Sequence, residues 1–110
     1  MSDFSQTTAD EYASWFRCLA DGTRLRILHV VASADQPMTV GEIVEQLDKS
    51  QSTVSRHVQV LALERFVLTE PDGIRTLVRV NPDCMSALPI AAAVVMGAGT
   101  DSFRPRLQQA

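Results

Sequence analysis

Apolar positions along this chain change their period several times, and each change marks an element. From Ala9 to Ala20 they fall at Tyr12, Trp15, Phe16 and Leu19, one face of a helix. Asp21-Gly22-Thr23 interrupts it, and Leu25, Ile27, Leu28, Val30 and Val31 predict a second, deeply buried helix. Asp35-Gln36-Pro37 reads as a turn. Thr39 is placed to cap a third helix, with Glu42 three residues on to complete a capping box and Ile43, Val44 and Leu47 as its apolar side. After a short turn at Asp48-Lys49, Ser50 caps a fourth helix, where Val54, Val58 and Leu61 recur at i, i+4 and i+7.

The period then shortens. Phe66–Thr69 and Thr76–Val80 read as strands around Pro71-Asp72-Gly73, and Asp-Gly between apolar runs predicts a hairpin. Asn81-Pro82-Asp83 supplies a cap, a proline at the first helical position and an acid that suits the helix dipole. It opens a last helix, rich in Ala and Val, to about Met96, with Pro89 expected to kink it or delay its start. The order is α-α-α-α-β-β-α. Residues 1–8 are expected to be a disordered start, 9–98 one domain and 99–110 a flexible tail.

The fourth helix is the informative one. Its first two turns carry Gln51, Ser52, Thr53, Ser55 and Arg56, while its apolar residues lie at the back. Gln, Ser, Thr and Arg match the donors and acceptors that base edges present in a major groove. Two helices joined by a short turn, the second polar at its tip, make a helix-turn-helix, and a hairpin directly behind makes it winged. A catalytic helix would need a titratable pair, which is missing. So are a Gly-rich phosphate loop, a paired-carboxylate set and a Ser-His-Asp or Cys-His arrangement, so the chain does not read as an enzyme.

Composition changes this picture little. A hydrophobic content of 45% excludes a disordered chain, and a net charge of −3 excludes one that coats nucleic acid unselectively. Between Lys49 and Arg79, however, Lys49, Arg56, Arg65, Arg75 and Arg79 outnumber Glu64, Glu70 and Asp72. The basic stretch is local, as a specific binder needs. The polar N-terminus has no apolar signal-peptide core, and the uncharged run 87–99 is too short for the ~20 residues of a membrane span. A cytoplasmic protein with reduced thiols and no membrane partner is expected.

Leu19-Ala20-Asp21-Gly22-Thr23-Arg24-Leu25-Arg26-Ile27-Leu28 and Ser50-Gln51-Ser52-Thr53-Val54-Ser55-Arg56-His57-Val58 resemble the two signature stretches of the ArsR/SmtB family. The resemblance covers about residues 12–96. It implies a small dimeric winged-helix repressor that binds double-stranded DNA. By the same resemblance Gln51, Ser52, Thr53, Ser55 and Arg56 face the major groove, with Arg56 suited to guanine and Gln51 to adenine. Ser50 caps that helix, Lys49 reaches a phosphate and Arg75 the minor groove beside the wing. Glu70 and Asp72 on the wing repel phosphate. His57 is structural or close to DNA, not a metal ligand. Arg24 and Arg26 are either backbone contacts or structural ion pairs.

Dimerisation is expected through the first and last helices, where Tyr12, Trp15, Phe16, Leu88, Ile90, Ala91, Val94, Val95 and Met96 are more than one small core buries. The two metal sites familiar in the family are absent: Thr39 and Gly41 stand where a Cys-x-Cys pair would, and the last helix has no His or Glu after Asp83. No cofactor is expected on the family's pattern. Cys18 and Cys84 read as small hydrophobes; the alternatives are a redox or persulfide sensor, or a makeshift Ni/Zn/Co site with His29, Asp83 and the acidic N-terminal residues. The effector, whether ion, small molecule or partner protein, stays unnamed. The runner-up function is a winged-helix module that activates transcription or works through a protein partner, with no effector site of its own.

Overall fold

The computed structural model describes residues 4–98. Five helices and a three-stranded antiparallel sheet follow the order α1 (Gln6–Leu19), α2 (Gly22–Ser33), β1 (Met38–Thr39), α3 (Val40–Glu45), α4 (Gln51–Leu63), β2 (Val67–Asp72), β3 (Arg75–Val80) and α5 (Pro82–Val95). The expected tail, 99–110, lies outside the described residues, as do residues 1–3.

Every long helix begins on a side-chain cap. Ser5, Asp21, Ser50 and Asn81 accept from the backbone N–H of Thr8, Arg24, Thr53 and Asp83. Short α3 begins on the expected capping box, with Thr39 N–H donating to Glu42 at 2.8 Å and Glu42 N–H to Thr39 at 3.1 Å. Because Ser5 caps α1, the helix starts at Gln6 and takes in residues expected to be disordered. Phe4 adds a ring contact to Tyr12, 5.8 Å between centroids.

The core lies where α2, α3 and α4 meet the sheet. Ile27, Ile43, Val54, Leu61 and Val78 are wholly buried, with Val31, Leu47, Val58, Phe66, Val67 and Cys18 around them. One expectation needs correcting. Leu25 is half exposed, since it falls on the outer side of α2 from Ile27 and Val31. Phe16 points outward, on the side of α1 expected to meet a second protomer, and α1 meets the core through Trp15, Cys18 and Leu19.

The sheet order is β1-β3-β2. Strand β1 adds a third strand to the expected hairpin: its two residues are strand only because Met38 and Thr39 pair with Val78 and Leu77. The hairpin also runs further than expected, through Pro71 opposite Thr76 to Asp72 opposite Arg75, leaving Gly73-Ile74 as a two-residue loop. Pro71 is tolerated because β2 is the outer strand, where a missing N–H spoils no central ladder. Gly73 supplies the positive φ of 64° that the turn requires. Helix α5 likewise runs through Pro89 without delay; the lost bond belongs to its exposed side.

The joint between α4 and β2 is the least ordinary backbone. Arg65 sits in the left-handed region (φ 66°), while its N–H and that of Phe66 return to the carbonyls of Ala62 and Leu61. This is a Schellman ending with arginine where glycine is usual. Asn81 holds it: its Nδ2 donates to the Arg65 carbonyl at 2.8 Å and its N–H to the Phe66 carbonyl at 3.0 Å. Asn81→Ala removes the α5 cap and one bond to a part-buried carbonyl. A loss of about 2–3 kcal/mol is expected, read as a lower urea midpoint at unchanged slope.

Candidate nucleic-acid interface

The tip of α4 separates hydroxyls already in use from side chains that are free. Ser50 accepts the Thr53 N–H at 3.2 Å, and its hydroxyl lies 3.0 Å from Thr53 Oγ1 and 3.2 Å from Ser52 Oγ. Ser50, Ser52 and Thr53 thus form one capping network. Among the described residues no protein group pairs with the side chains of Lys49, Gln51, Ser55 or Arg56. Lys49, Gln51 and Arg56 are exposed and Ser55 half-buried.

Loop and wing complete the surface. Thr39, Val40 and Gly41 at the start of α3, Gln51 and Ser55 on α4, and Ile74, Arg75 and Thr76 of the wing line one cleft of about 290 Å³. Whatever seats against the first turns of α4 therefore meets the wing tip as well. Arg75 is engaged with Asp72 of its own hairpin at 3.5 Å, with both side chains more than half exposed. An exposed pair of this kind is weak and leaves Arg75 able to exchange Asp72 for another anion.

Two surface residues escaped the sequence reading. Gln59 continues the exposed stripe of Ser52 and Arg56 at helical spacing, a signal present in the sequence. Ile74 is fully exposed on the wing tip, which became visible only once the hairpin register was known. Of the two arginines on α2, Arg26 is exposed. Arg24 is turned inward, its side chain only 18% exposed and 3.9 Å from Asp21. Its backbone N–H, bonded to Asp21, holds that carboxyl below its ordinary value.

The cysteines occupy another region. Cys18 is buried and faces the Val60 carbonyl; Cys84 donates to the Arg65 carbonyl at 3.2 Å. Burial is the main cause that pushes both thiols up, away from the reactive thiolate. Among the described residues no three His, Cys, Asp or Glu side chains are grouped to hold a metal ion. Cys84 lines a cleft of about 210 Å³ with Trp15, Glu64 and Leu88 between α1, the end of α4 and α5. No described helix is long and apolar enough to cross a membrane.

The chain is similar to known proteins over much of its length. A family model for a helix-turn-helix domain matches residues 19–68. Over 73 residues the chain is 37% identical to the HTH-type transcriptional regulator Rv2034 of Mycobacterium tuberculosis, covering 66% of each. Over 77 residues it is 38% identical to the HTH-type transcriptional regulator KmtR of the same organism, covering 70% of this chain and 58% of that one. The chain thus spans just under two thirds of the first relative and little more than half of the second. Among solved structures, the homodimeric winged helix-turn-helix DNA-binding domain of Mb0332 from Mycobacterium bovis superposes with a TM-score of 0.67 at 26% identity, over 88% of each chain. An ArsR-like transcriptional regulator from Rhodococcus, at 22% identity and a TM-score of 0.69 over 83% of each chain, shares the fold.

Proposed function

Given that this chain belongs to the ArsR family of winged helix-turn-helix transcriptional regulators, we propose that it represses transcription in the cytoplasm by binding a palindromic operator as a homodimer. One observation carries the reading: Gln51, Ser55 and Arg56 stand unpartnered on the first turns of α4, and the wing shares the cleft that Gln51 and Ser55 line. Arg56 and Gln51 read guanine and adenine in the major groove. Lys49 and Arg75 hold phosphate or the minor-groove edge, and Ser50, Ser52, Thr53 and His57 complete the contact surface. The Ser50 hydroxyl takes up the Thr53 N–H and fixes the helix start, where the N–H groups of Gln51 and Ser52 favour a phosphate.

One helix meets too few base pairs to select a site, so a two-fold pair is required, with half-sites about one helical turn apart. Selection from random duplex DNA at about 150 mM salt tests this directly. An enriched inverted repeat is expected; no enriched site would mean that the α4 tip meets a protein or needs a partner. On the selected operator, Arg56→Ala should cost about 1–3 kcal/mol of binding and relax specificity at one base pair. Unchanged affinity would remove Arg56 from the reading set.

A further inference from the structure

Arg24 ties together three helices, α1, α2 and α4. Its Nε donates to the Cys18 carbonyl in the last turn of α1. Its Nη1 lies 3.1 Å from His57 Nδ1 on α4. Its backbone N–H donates to the Asp21 cap of α2 at 3.0 Å.

The chemistry of this contact leaves one arrangement. A guanidinium has five N–H donors, no acceptor, and keeps its charge in proteins. The proton between Arg24 and His57 therefore comes from Arg24, and His57 Nδ1 is a bare lone pair. Such a ring, neutral, carries its own proton on Nε2. Among the described residues Nε2 has no protein partner, yet no buried side-chain nitrogen or oxygen lacks one. His57 Nε2 therefore reaches solvent on the recognition helix.

We propose that Arg24 is a positioning residue of the DNA interface: it holds His57 as the neutral Nε2–H tautomer, so that α4 offers the duplex a fixed donor for a phosphate oxygen. This rests on the operator-binding reading. A lysine could not replace Arg24, because a single nitrogen on a flexible stem cannot hold the α1 carbonyl and the imidazole in one planar fork.

The first test is decided on the wild-type side chains of Arg24 and His57. The chain has two histidines, and His29→Gln assigns their ring signals. Ring ¹⁵N correlations of the free protein at neutral pH should show His57 protonated at Nε2 and bare at Nδ1, a preference that Arg24→Gln lowers. A protonated Nδ1 in the wild type overturns the proposal, even if the Arg24 variants fail to fold.

The second test is a double-mutant cycle on the selected operator. Arg24→Gln should weaken binding on the order of tenfold, the worth of one charge-assisted bond. It should add little in a His57→Ala background, and Arg24→Lys should not restore the loss. Additive effects, or rescue by lysine, would make Arg24 a direct phosphate contact and overturn the proposal. Should the wild type select no operator, that reading fails alone, and the tautomer measurement still decides the geometry.

Discussion

Phe66→Ala is expected to remove about 3–5 kcal/mol of folding stability, a large part of the roughly 5–15 kcal/mol a domain of this size possesses. Phe66 is the largest of the fully buried side chains, 1% exposed, and packs against the last turns of α4 and the start of the sheet. Truncation leaves a cavity at a point that cannot collapse easily. The backbone on either side is fixed, by the Phe66 N–H on the Leu61 carbonyl at 2.9 Å and the Asn81 N–H on the Phe66 carbonyl at 3.0 Å. The left-handed Arg65 next to it has no further freedom to follow. Urea unfolding of the variant should show a much lower midpoint. Phe66→Leu, which fills most of the space, should lose less. Equal losses would mean that ring volume is not what the site requires.

What the sequence disclosed, and what it hid, divides by range. The Thr39–Glu42 capping box, the Ser50 cap and the Val54, Val58, Leu61 stripe are local signals, and the structure repeats them. Strand β1 has no local signal, because Met38 and Thr39 owe their state to Val78 and Leu77, far along the chain. Pro71 reads as part of a turn from sequence because proline and Asp-Gly are local turn signals. The extended pairing to Arg75 won once β2 lay on the outside of the sheet. In the site, residue types alone marked Gln51 and Arg56 as candidates. They did not reveal that Ser50, Ser52 and Thr53 bond one another, or that Arg24 turns inward to His57. Those facts depend on rotamers and on a partner 33 residues distant, neither of which a periodicity encodes.

A charge placed on the outer face of α5 should separate the protomers of the proposed dimer. The described protomer exposes Phe16 on α1, and Met85, Ile90 and Val95 on α5 with Met96 at its cap, each between 38% and 81% exposed. Two helices that present this much apolar surface call for a covering partner. Ala91 and Ala93 turn away from this face and are buried inside the protomer, so the outer surface of α5 is carried by its large apolar side chains. At a two-fold interface a substitution enters twice, and Ile90→Asp places a carboxylate from each chain into one desolvated region. Ile90 is 43% exposed within its own chain, so the protomer itself should lose little. Sedimentation should show a monomer, and operator affinity should fall by about 10²–10⁴, the gain that joining two half-site contacts supplies. A variant that stays dimeric would place the interface elsewhere. One that becomes monomeric yet binds the operator with undiminished affinity would show that a single α4 and wing suffice, and the palindromic reading would fall with it.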